Sequence, residues 1–81
     1  MVYSKTINGW TININETEDF KGIINNEKIV LFSDKDIDIY GLFEIKGNEI
    51  IKIHGFYNLM YKINCKKNII EFSFVENLIK K

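Results

Sequence analysis

Few residues in this chain have the chemistry for catalysis, and their spacing keeps them apart. His54 is its only histidine and Cys65 its only cysteine. A Cys–His pair makes a nucleophile when the imidazole sits close enough to take the thiol proton. The strand register argued below puts His54 on an outer sheet face beside Leu42. It puts Cys65 on the core face of a later strand, so the two are expected on opposite sides. No serine or acid falls beside His54 on its own face, which leaves it nothing to activate. A free cysteine on a core face behaves as a small hydrophobe, and a single one gives neither an internal disulfide nor a cysteine-based zinc site.

Asp34-Lys35-Asp36-Ile37-Asp38 has the D-x-D-x-D start of a calcium-binding EF-hand loop. Such a loop needs glycine at its sixth position and a bidentate glutamate at its twelfth, where this chain has Ile39 and Ile45. The run reads instead as a turn leading into the solvent side of a strand. Asn15-Glu16-Thr17 matches an N-glycosylation acceptor, but Met1 to Lys5 carries neither the basic stretch nor the apolar block of a secretory signal. No catalytic, cofactor or metal site is therefore expected, and the chain is read as non-enzymatic.

The elements that would position these residues are short. The 81 residues have room for one core and are treated as one domain over 1–81. Apolar runs such as Ile29 to Phe32 are far too short to cross a bilayer as a helix, so a cytoplasmic protein without a membrane segment is expected. Runs rich in Ile, Val, Phe and Tyr are broken by Gly, Asn and Asp about every ten residues. This spacing predicts an all-β fold, an antiparallel meander of seven or eight short strands forming a small barrel or sandwich.

The clearest local signal is Asn8-Gly9 between Val2–Ile7 and Trp10–Asn15. Asn-Gly favours a type I′ turn, in which both central residues take positive φ. A two-residue loop pairs Ile7 with Trp10, Lys5 with Ile12 and Tyr3 with Ile14. These face the core with Lys5 as the exception, and Ser4, Thr6, Thr11, Asn13 and Asn15 face water. Residues 17–25 fit either a short helix capped by Thr17 or a strand ending at Asn25-Asn26, and Gly22 with its β-branched neighbours favours the strand. Lys28 to Ser33 reads as a buried strand.

The second hairpin joins Ile37–Lys46 to Glu49–Tyr57 around Gly47-Asn48. A three-residue loop sets Ile39, Gly41, Phe43, Ile45, Ile51, Ile53, Gly55 and Tyr57 on one face, with Glu44 opposite Lys52; the buried face selects this register over a two-residue loop. Leu59–Cys65 and Ile69–Val75 form the third hairpin, pairing Cys65 with Ile70, Ile63 with Phe72 and Tyr61 with Phe74. Glu76 to Lys81 is a tail, with room for one helical turn.

In that register the outer face of the second hairpin presents Tyr40, Leu42, Ile50, His54 and Phe56. A sheet with one wet face should be polar there, and contiguous exposed apolar groups mark an interaction surface. The alternative is that the Phe20–Ile24 region or the tail covers this face. Nucleic acid is a weak fit: 11 Lys+Arg balance 11 Asp+Glu, every basic residue is lysine, and the phosphate-binding charge is missing unless Lys62, Lys66 and Lys67 form a local patch. The charges are unevenly spread, with four Lys and seven acids in residues 1–40 against seven Lys and four acids in 41–81. Opposed halves of this kind can orient a partner or a second copy.

The sequence-based reading is a non-enzymatic protein-binding module acting by steric occupation of another protein. Its five partner-binding candidates are Tyr40, Leu42, Ile50, His54 and Phe56. Its size suits an inhibitor or an immunity-type protein. The 16 Ile and 10 Asn, with no Arg, Pro, Ala or Gln, follow AT-rich codons and suit a phage or mobile-element anti-defence protein. The alternatives are a homo-oligomeric structural subunit, including a homodimer, and a single-strand nucleic-acid-binding β-barrel.

Overall fold

A computed structural model describes residues 1–33, 39–55 and 59–74. The Asp34–Asp38 run, Phe56, Tyr57 and the tail from Val75 lie outside these residues. Eight strands follow in order: β1 (Val2–Ile7), β2 (Trp10–Asn15), β3 (Lys21–Asn25), β4 (Lys28–Phe32), β5 (Ile39–Lys46), β6 (Glu49–Gly55), β7 (Leu59–Asn64) and β8 (Ile69–Phe74). The described residues contain no helix. The strands form two four-stranded sheets, β1-β2-β8-β7 and β3-β4-β5-β6. No strand pairing joins the sheets among the described residues, so the architecture is a sandwich rather than a closed barrel.

The first hairpin forms in the expected register, from Ile7 opposite Trp10 to Tyr3 opposite Ile14. Asn8 and Gly9 take φ of 53° and 83°, the conformation a type I′ turn requires. Trp10, Ile12 and Ile14 are buried, while Ser4 Oγ and Asn13 Oδ1 hydrogen bond on the wet face at 2.6 Å. The chain then turns from one sheet to the other at Thr17–Phe20. The Thr17 hydroxyl accepts the Asp19 N–H at 3.3 Å. That is the capping interaction the sequence suggested, but it closes a turn: Thr17 N donates to Phe20 O at 2.9 Å and β3 follows at once. The strand, not the helix, is what forms.

The first sheet departs from a pure meander. Its two hairpins are joined by a parallel pairing of β2 with β8, Thr11 opposite Ile69 through Ile14 opposite Phe72, prolonged by Thr11 N donating to Asn68 O at 2.8 Å. β7 and β8 pair two residues away from the predicted register, with Tyr61 opposite Phe72 and Ile63 opposite Ile70. An even shift preserves the faces. It also lengthens the loop to Cys65–Asn68 and carries Cys65 out of the strand into an exposed turn, which corrects its expected place on the core face.

The second sheet is a four-strand meander with two bulges. From the β5–β6 turn, Lys46 pairs with Glu49 and Phe43 with Lys52 in the two-residue-loop register. Ile53 is then skipped, and Leu42 pairs with His54 and Gly41 with Gly55, the register expected from burial. The two-residue-loop register therefore holds for four pairs and the register expected from burial for two, with the bulge between them. Glu44 lies opposite Ile51 rather than Lys52. At the other bulge Leu31 pairs with Gly41 and Phe32 with Ile39, so Tyr40 is the extra residue.

One core lies between the sheets. Phe20, Phe43, Phe72, Ile12, Ile14, Ile29, Leu31, Ile45 and Ile70 are fully buried. Phe43 from the second sheet meets Phe72 of the first edge-to-face, with centroids 4.8 Å apart, and Tyr40 stacks on Phe74 at 4.6 Å. Gly22 marks the closest approach: a Cβ there would meet the buried Ile14 side chain and come within 3.1 Å of Leu31 Cδ2.

Candidate interaction face on the second sheet

The two outer faces of the sandwich differ in kind, and the pairings show how. Across the first sheet, cross-strand rows run Thr6–Thr11–Ile69–Asn64 and Ser4–Asn13–Glu71–Lys62. These rows are polar apart from Ile69, and in the next row the exposed Val2 and Met60 stand opposite Asn15 and Ser73, so the apolar groups of this face are isolated among polar ones. Across the second sheet, the central row runs Ile23–Val30–Leu42–His54. It is flanked on one side by Lys21–Phe32–Ile39 and on the other by Asn25–Lys28–Glu44–Ile51.

The apolar members of these rows point away from the core because their neighbours point into it. In β3, Gly22 and Ile24 are buried and Ile23 is 53% exposed; in β4, Ile29 and Leu31 are buried while Val30 and Phe32 are half-buried. Leu42 is half-buried, and Ile39 and Ile51 are exposed. Four strands thus carry one apolar row with His54 at its end. A surface depression of about 450 Å³ is set into this face, floored by Ile23 and Val30 and rimmed by Asn25, Lys28 and Glu44.

The five residues expected to form this surface are sorted differently by the structure. Leu42 and His54 stand opposite each other on the outer face, as predicted. Tyr40 does not: the bulge against Leu31 and Phe32 rotates it inward, where it is 9% exposed and stacks with Phe20 and Phe74. The same irregularity turns Ile39 outward, reversing both assignments. Ile50 is also corrected. The two-residue loop sets it opposite buried Ile45, and it packs partly buried against the core. Phe56 lies outside the described residues.

Ile23, Val30, Phe32, Ile39 and Ile51 are the members that sequence reasoning missed. Pairing Asn25 with Lys28 across a two-residue Asn26-Glu27 loop would have shown that Ile23 and Val30 share the polar side of that hairpin. The Phe20–Ile24 segment, expected as one cover for this face, extends it instead. Phe20 and Ile24 enter the core and Ile23 adds to the exposed row.

The groups weighed for chemistry stay apart. Cys65 lies in the β7–β8 turn of the first sheet and His54 on the outer face of the second. No group of three metal-ligating side chains occurs among the described residues. Lys62, Lys66 and Lys67 do line one depression of about 660 Å³, but Glu71 lines it too and no aromatic ring does. The stacking half of single-strand recognition is missing there. Comparison with protein-family models, curated proteins and solved structures found no match for the chain.

Proposed function

We propose that this protein is a non-enzymatic binding module that presents the outer face of its second sheet to another protein and acts by occupying that partner's surface. The observation that carries the reading is the apolar row Ile23–Val30–Leu42, unbroken across three strands, where the outer face of the first sheet has only the separate apolar residues Val2, Ile69 and Met60 among polar ones. Contiguous exposed apolar surface is costly to keep in water and is characteristic of interaction sites. Half-buried branched side chains on a rigid sheet are preordered, so little entropy is lost when a partner covers them. A small domain working by steric occupation fits an inhibitor or an immunity-type protein, and a composition weighted to Ile, Asn and Lys, whose codons are AT-rich, fits a phage or mobile-element source.

The test is paired. Ile23→Lys and Leu42→Thr should leave the denaturant midpoint nearly unchanged, since surface substitutions usually fall within about 0.5 kcal/mol. Both should abolish capture of a stoichiometric protein from a host lysate treated with nuclease. Capture that survives both substitutions, or that disappears with nuclease alone, sinks the reading.

A further inference from the structure

A sandwich of two open sheets has four edge strands, each a template for pairing with another chain unless something blocks it. The structure blocks three. Along β3, the outward Gly22 N–H donates to Glu16 Oε2 at 3.2 Å and the Ile24 carbonyl accepts from Lys5 Nζ at 3.5 Å, so a side chain of the β2–β3 connection and one of β1 occupy its free edge. On β1 the same Lys5 is a charge on the core-facing side, beside Tyr3 and Ile7, where an added strand would have to bury it. On β6 the bulge at Ile53 breaks the regular repeat of donors and acceptors.

Among the described residues β7 has none of these devices. Its six residues pair with β8 in unbroken register, and its core-facing side, Leu59, Tyr61 and Ile63, is wholly apolar. Tyr61 is 37% and Ile63 41% exposed on that side, because the opposing sheet ends at β6 and covers them only in part. Lys52 of β6 reaches across with Nζ 5.9 Å from the Tyr61 ring. The one charge on β7, Lys62, is on the outer face opposite Glu71, where it bars no incoming strand.

We infer that β7 pairs antiparallel with β7 of a second copy of this chain, making one eight-stranded sheet through a two-fold axis at Tyr61. A two-fold axis perpendicular to the sheet keeps both core faces on the same side, so facing residues must share parity. Centring on Tyr61 sets it against Tyr61 of the second copy, Leu59 against Ile63, and Met60 against Lys62. Every pair is aromatic, aliphatic, or a lysine stem on methionine, combinations that favour pairing. Centring one residue further on would oppose Lys62 to Lys62, which like-charge repulsion disfavours. The added strand would also cover Tyr61 and Ile63, continuing the core across the junction. The outer face of the second sheet stays free in this arrangement, so the dimer and the binding face succeed or fail separately.

The experiment uses sedimentation and disulfide trapping on the full chain. The wild-type protein should sediment with twice the monomer mass at high micromolar concentration and approach the monomer mass on dilution. Ile63→Lys, an inward charge that copies the role of Lys5, should give the monomer at every concentration with an unchanged circular dichroism spectrum. In a Cys65→Ser background, Met60→Cys combined with Lys62→Cys should form a covalent dimer on mild oxidation, at least tenfold more than either cysteine alone. A monomer at all concentrations, a dimer that persists in Ile63→Lys, or trapping by Lys62→Cys alone equal to the pair would overturn the inference.

Discussion

Phe43 shows how much of this molecule rests on single side chains. It is fully buried, meets Phe72 and Tyr61 edge-to-face at 4.8 and 5.1 Å, and so links the two sheets. Phe43→Ala should cost about 3–5 kcal/mol through lost burial and a cavity, read as a fall in the denaturant midpoint. For a small domain with about 5–15 kcal/mol in hand, that is a large fraction of its stability. Ile53, which the sequence placed on the same core face, is 53% exposed, and its replacement by Ala should stay within about 0.5 kcal/mol. Gly22→Ala has the opposite problem. Its methyl group would collide with buried Ile14 and crowd Leu31, an overpacking cost of about 1–3 kcal/mol. Cys65 is exposed in a turn, so Cys65→Ser should leave stability unchanged.

Among the elements, the Asn8-Gly9 turn was readable in the sequence, whereas the loop length at Gly47-Asn48, the Asn26-Glu27 turn and the irregular pairings were not. Asn8-Gly9 announced its own geometry, because few residues tolerate positive φ and these two do. The whole register of β1 and β2 follows from that turn. Gly9→Ala would force an L side chain to φ 83° and should destabilise the hairpin by about 1–2 kcal/mol, measurable in the same denaturation experiment. Gly47 alone takes positive φ in its turn, at 59°, which matches a II′-type loop with glycine first. That fixes the tip of the second hairpin, but the bulge that follows has no local mark. Ile51, Lys52 and Ile53 alternate as any strand would, so burial of one face argued for a single register where the protein uses two. The Tyr40 bulge is equally silent, and it moved a predicted surface residue into the core. The parallel contact of β2 with β8 joins residues far apart in the chain and leaves nothing in either segment to read. The outward placement of Leu42 and His54 was therefore legible, that of Tyr40 and Ile50 was misread, and the outward residues Ile23, Val30, Phe32, Ile39 and Ile51 were missed on all four strands.

At the scale of the whole molecule, two sheets share one core while showing water two unlike surfaces. Trp10 lies at the edge of that core, 4% exposed, and its emission should be blue-shifted in the folded state and move to the red on unfolding; an emission maximum of free indole in the native protein would contradict the packing of the first hairpin. The β2–β8 pairing also orders events during synthesis. Ile12 and Ile14 leave the ribosome early, yet their sheet neighbours Ile70 and Phe72 follow about 60 residues later, a delay of roughly 3–12 s at ~5–20 residues per second. For that interval the first hairpin has an unpaired edge on β2 and an uncovered apolar face. The nascent chain is most exposed to mispairing then, and a chaperone would engage it most profitably before β8 arrives.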